Sequence, residues 1–180
     1  MERTVTHVAL FAALIAVLGL VPRIDLIAGV PITAQSLGIM LCGTVLGARR
    51  GVLAVMLFLL LVAVGLPLLA GGRGGLGVFV GPSAGFLVGF PVAAFVIGLI
   101  VENWRAPVGI AAFVGSVIGG IGVLYVFGIA GMAIVLGKTL PEATVLAAPF
   151  LAGDLIKAVL AAGITRGLQR VRPGALLSRP

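Results

Sequence analysis

Charge is what this chain has least of: 9% of its 180 residues are Asp, Glu, Lys or Arg, and five of them are acidic. An ordinary soluble domain is about 25% charged, and so few charges do not cover a water-facing surface. Cysteine is almost absent too. Cys42 stands alone inside an apolar run, which excludes an intrachain disulfide and a cysteine-based metal cluster. Histidine occurs once, as His7, and asparagine once, as Asn103, so histidine-dependent chemistry has one possible donor. What is abundant is apolar: 61% of residues are hydrophobic, 28 are glycine, and mean hydropathy is +1.33. The medium that accepts such a surface is lipid.

The 12 basic residues give a net charge of +7. They do not cluster with aromatics as a nucleic-acid surface requires, so no nucleic acid is expected and membrane topology explains them better. Runs nearly free of charge cover 4–22, 26–48, 51–72, 74–101 and 106–137, and a further run at 143–165 is interrupted by Asp154 and Lys157. At about 20 residues per span, these predict an all-α integral membrane protein of six transmembrane helices with structured external loops. The whole of 1–180 then forms a single membrane domain, with 168–180 as a basic cytoplasmic tail. Met1 to Leu20 shows no small-residue cleavage site and is read as a retained first helix.

Breakers set the expected boundaries. Pro22 ends helix one, and a polar loop follows through Thr33, Gln35 and Ser36. Gly47 to Gly51 is a turn carrying Arg49 and Arg50, before a third helix over 52–66. Pro67 and the glycine loop around Gly74 precede a fourth helix that begins near Pro82 and ends at Val101. Helix five starts at Val108 and ends at Gly128 or Gly131, followed by a short helical excursion. Lys138 to Glu142 is the last outer turn, and helix six runs from Ala147–Pro149 to Gly167. In this arrangement Arg3, Arg49, Arg50, Arg105, Arg166, Arg170, Arg172 and Arg179 share one side, against Arg23, Arg73 and Lys138 on the other. The excess predicts both termini in the cytoplasm.

Three motifs lead nowhere. Gly72 to Gly77 fits the dinucleotide pattern but lies between two spans rather than in a βαβ unit. Gly81-Pro82-Ser83-Ala84-Gly85 fits the nucleophile-elbow pattern, yet His7 is expected at the opposite end of the bundle, so no base reaches Ser83. Gly137-Lys138-Thr139 lacks the upstream glycine of a phosphate-binding loop. Small residues recur every four positions, at Gly81, Gly85, Gly89 and Ala93, at Gly43, Gly47 and Gly51, and at Gly115 and Gly119, where they permit close helix packing. Helix one holds two such registers, Ala9 with Ala13 and Ala12 with Ala16. Internal packing and an external docking face are both open for them.

The most informative residues are Asp154 and Lys157. A charge at mid-helix costs at least about 2.5–3.5 kcal/mol by insertion scales, and at i and i+3 the two share one face. Either they neutralise each other as a structural pair, or they bind a polar solute entering from outside. An acid beside a base suits a molecule with N–H donors and an oxygen acceptor or anion. Thr33, Gln35 and the glycine loop, Gly74 included, are expected to close over such a solute, with Phe79 and Phe86 as an apolar wall.

Val30 to Gly38, Leu46 to Gly51, Gly65-Leu66-Pro67 with the glycine loop and Gly81-Pro82, and above all Pro149 to Ala158 with its G-D-x-x-K core, together resemble the BioY family. These are biotin-binding S components of energy-coupling factor vitamin transporters. The resemblance covers nearly the whole chain. It implies a six-helix, non-enzymatic capture protein of the bacterial cytoplasmic membrane, with biotin as ligand, no cofactor, and a transmembrane T component and an ATPase pair as partners. It assigns Asp154 and Lys157 to biotin, the Thr33–Gln35 loop to a cover, and Ala9 and Ala13 to docking on the T component. Where the family often has G-P-T-G-G-Y, this chain has Gly81 to Phe86, which removes a tyrosine hydroxyl from that position. The rival readings are an S component for another vitamin and a non-transporting membrane assembly protein.

Overall fold

A computed structural model of the protein describes residues 2–22 and 32–179. The part of the expected first outer loop that holds Arg23, Val30 and Pro31 lies outside the described residues. The described chain forms helical rods: α1 (Glu2–Leu18), α2 (Gln35–Leu46), α3 (Ala48–Ala63), α4 (Ala84–Asn103), α5 (Val108–Leu136) and α6 (Leu140–Val171). Three of them, α4, α5 and α6, are long and apolar enough to cross a membrane. α4 is central, lying against α2, α3 and α5, while α6 closes the bundle on α5 and α2.

Small residues explain how the rods approach so closely. A Cβ on Gly85 would fall 2.9 Å from the Cα of Gly131, so α4 and α5 touch backbone to backbone there. Gly43 lies against Ala94 and Ile97, and Gly119 against Ala93 and Ile97, which locks α2 and α5 onto α4. The turn between α2 and α3 is tighter than expected. Gly47 alone makes it, at φ +85°, a conformation that favours glycine, and Glu102 at the end of α4 accepts the Ala48 N–H at 2.9 Å. α3 therefore starts at Ala48 rather than Val52.

Two further boundaries correct the sequence reading. Gly128 and Gly131 do not end helix five. α5 continues to Leu136 through a π-helical stretch at Ile118–Val123, and the two glycines receive the Phe86 ring and Gly85 instead. No helical excursion or broad outer loop follows; Gly137, in the left-handed conformation, ends the rod.

The last helix begins at Leu140, not near Pro149, because Thr139 and Glu142 form a capping box. Glu142 accepts the Thr139 N–H and hydroxyl, each at 2.8 Å. Pro149 sits inside the helix, as apolar helices in a packed bundle permit. At about 1.5 Å per residue, Asp154 lies about 21 Å along the rod, near its middle rather than near its entry.

The segment read as a basic tail divides in two. Residues 168–171 extend α6, and the rest folds back under the bundle, where Ser178 bonds the carbonyl of Thr44 at 2.6 Å and Leu176 is buried.

Candidate functional site

The site is built where α6 faces the start of α2. Asp154 is 6% exposed, and its carboxylate collects three donors. The Ser36 hydroxyl and the Lys157 ammonium both donate to Oδ1 at 2.9 Å, and the Tyr125 hydroxyl donates to Oδ2 at 2.8 Å. Lys157 also donates to the Ser36 oxygen at 2.9 Å, so acid, hydroxyl and ammonium close a triangle. A buried charge is tolerable when paired and hydrogen-bonded in this way.

The cluster forms part of the lining of a cavity that is open on one side. α2 and its approach contribute Thr33, Gln35 and Ser36; the segment after α3 contributes Leu69 and Arg73; α4 and its N-terminal turn contribute Ser83, Phe86 and Phe90; α6 contributes Phe150, Asp154 and Lys157. Phe86 is held edge-on by Tyr125 and Phe150, with ring centres 6.2 and 6.1 Å away. The result is an apolar wall facing a charged corner.

Counting free capacity shows what this corner offers. A carboxylate has about four lone-pair positions and an ammonium three N–H groups. With the contacts above, Asp154 keeps one acceptor position and Lys157 one donor. Ser83 is 8% exposed and lines the cavity, and its hydroxyl has no hydrogen bond among the described residues. Arg73, which donates to the Ala70 carbonyl at 3.3 Å, also lines the cavity. The arrangement suits a ligand that carries both N–H donors and an oxygen acceptor.

The sequence-predicted residues divide. Asp154, Lys157, Gln35, Thr33 and Phe86 come together in this lining, whereas Phe79 and Gly74 do not. Phe79 packs on the core cluster around α3 and α4, and Gly74 lies against the backbone of Leu66. Gln35 is 2% exposed and its amide is a clamp. It donates to the carbonyls of Ile15 and Leu68 at 3.2 and 3.1 Å and accepts the Ala70 N–H at 3.1 Å, tying α1 to the segment after α3. The two registers of helix one also separate. Ala12 is buried and Ala16 half-buried, while Ala9 and Ala13 are exposed on the outside of the bundle.

Residues 2–174 match the BioY family. The chain belongs to the BioY family. It is 56% identical to the biotin transporter BioY of Rhodobacter capsulatus, over 99% of this chain and 100% of that protein. It is 51% identical to the biotin transporter BioY of Rhizobium etli, over 92% of each. Among solved structures it resembles a crystal structure of the S-component for biotin from an ECF-type ABC transporter, with a TM-score of 0.89 and 31% identity over 94% of this chain and 92% of that one. Membership of this transporter family excludes the enzyme reading of the Ser83 motif.

Among the residues of the candidate site that the sequence does not single out are Ser36, Tyr125 and Arg73. Ser36 is legible only as part of a polar loop, and Tyr125 stands in an apolar run. A tyrosine hydroxyl does reach Asp154, from α5 rather than from the position of Phe86. Arg73 enters the sequence argument through topology alone, although it lies within the glycine loop expected to close over the solute.

Proposed function

We propose that this chain captures biotin and serves its uptake as the substrate-specific S component of an ECF-type transporter. The observation that carries the reading is the Asp154–Ser36–Lys157 triangle opening into a partly apolar cavity, in a member of the BioY family. Biotin is a monoanion whose ureido ring has two N–H groups and a carbonyl oxygen. The free lone pair of Asp154 accepts a ureido N–H, and Lys157 or Ser83 donates to the ureido oxygen. The carboxylate is repelled by Asp154 and turns toward Arg73, while Phe86 and Phe150 cover the thioether ring. Thr33 and Gln35 hold the cover segment in place over the ligand.

In this reading the chain crosses the bacterial cytoplasmic membrane six times, with both termini inside, as the distribution of basic residues favours. Ala9 and Ala13 then offer a small-residue face to a T component, and an ATPase pair supplies the energy. Lys157 in the lining argues against a cationic vitamin.

The test is calorimetric titration of the detergent-purified chain with biotin, after mass spectrometry of a denatured aliquot for co-purified vitamin. One-to-one binding, or biotin already present, supports the reading. An empty, folded protein that ignores biotin overturns it and directs the search to other vitamins and then to an assembly role.

A further inference from the structure

A second cleft lies between the start of α5 and the end of α6, open to the surroundings. Its lower rim carries Arg105, Arg166, Arg170 and Arg179, and no carboxylate lines it. Arg179 is already committed to the carbonyls of Val101, Trp104 and Ala106 at the end of α4. Arg105, Arg166 and Arg170 are exposed and have no hydrogen bond or ion pair among the described residues. Of the five acidic residues in the chain, the one at this end of α4, Glu102, is engaged by the Ala48 N–H.

Above the arginines the same cleft becomes apolar, walled by Ile110 and Phe113 of α5 and by Val159 of α6, all exposed on the outside of the bundle. Trp104, 44% exposed, stands next to Arg105 just beyond the end of α4, and indoles favour the headgroup region of a bilayer. A cationic rim beside that indole, continuous with an apolar groove along two helices, has the two halves of a phospholipid's chemistry.

We propose that this cleft is a binding site for an anionic diacyl phospholipid, with its phosphate between Arg105, Arg166 and Arg170 and one acyl chain along Ile110, Phe113 and Val159. Basic pockets between transmembrane helices hold such headgroups by the same electrostatics. The site is separate from the cavity at Asp154, and the inference does not depend on biotin being the ligand there.

The test is native mass spectrometry of the purified full chain titrated with dioleoylphosphatidylglycerol or dioleoylphosphatidylcholine. We expect phosphatidylglycerol to be preferred by about tenfold or more, on the scale of one or two guanidinium contacts. Arg166→Gln/Arg170→Gln reduces its binding to the phosphatidylcholine level, while the charge-matched Arg49→Gln/Arg172→Gln retains the preference. Equal binding of the two lipids, or equal loss in both variants, overturns the proposal. Displacement by glycerol phosphate as effective as by the diacyl lipid overturns it in favour of a phosphate site. An unchanged lipid preference in Arg166→Gln/Arg170→Gln, with loss of a co-purified transporter partner, overturns it in favour of a protein interface. Unaltered thermal stability of both variants shows that they fold.

Discussion

The Asp154–Lys157 pair can be tested as a unit, because the structure predicts unequal costs for removing either member. Lys157→Met deletes one charge-assisted hydrogen bond to Asp154 but leaves the carboxylate with Ser36 and Tyr125. Its cost in stability is about 1–2 kcal/mol, at the lower end for bonds to charged groups. Asp154→Asn keeps the shape and an amide oxygen that can accept from Lys157, but leaves the ammonium without its counter-charge. Breaking a buried pair costs about 3–5 kcal/mol, and the opening of this cavity to water lowers that to roughly 2–3.

The double variant carries neither charge, so its cost falls below the sum of the two by about 2 kcal/mol, within the range for contacting residues. Thermal and denaturant unfolding in one detergent measures all four corners of the cycle, and biotin titration is run on the same samples. Affinity falls at least about tenfold in each single variant and does not return in the double. Additive stabilities, within about 0.5 kcal/mol, refute the reading of the pair as one buried unit. Recovered biotin binding in the double variant refutes its role in the ligand site.

Tyr125→Phe removes one of the three donors to Asp154 and is expected to weaken biotin binding by about fivefold to tenfold, the worth of one hydrogen bond to a charge, with the fold intact by gel filtration. Gly131→Leu places a side chain on the backbone of Gly85 and should prevent accumulation of folded protein, whereas Gly167→Ala, which meets nothing within 4 Å, should leave the unfolding temperature unchanged or raised. Ala9→Leu/Ala13→Leu alters only an exposed face of α1, so biotin binding by the isolated chain persists while co-purification with the T component is lost; an unchanged complex would remove that docking assignment.

Charge scarcity is what made the core of the site readable. In a chain that is 9% charged, an acid and a base three residues apart in an apolar run demand a reason, and both line the cavity. Ser36 and Tyr125 carried no comparable signal. Each is a small cost in an apolar segment, and they meet Asp154 only through folding, across 118 and 29 positions.

The same logic explains the misplaced boundaries. Proline and glycine punctuate soluble chains because proline removes a helical N–H and clashes with the preceding turn, while glycine loses the most backbone entropy on ordering. In a closely packed apolar bundle, Pro149 stays within α6, and Gly128 and Gly131 become the places where another helix enters rather than where this one stops. The polar capping box at Thr139 and Glu142, a local signal independent of the medium, was the better guide to where the last helix begins. The consequence reaches the site itself. Starting α6 at Leu140 moves Asp154 and Lys157 from the mouth of the bundle to the middle of a rod, where the triangle with Ser36 shelters both charges while one edge stays open to a ligand.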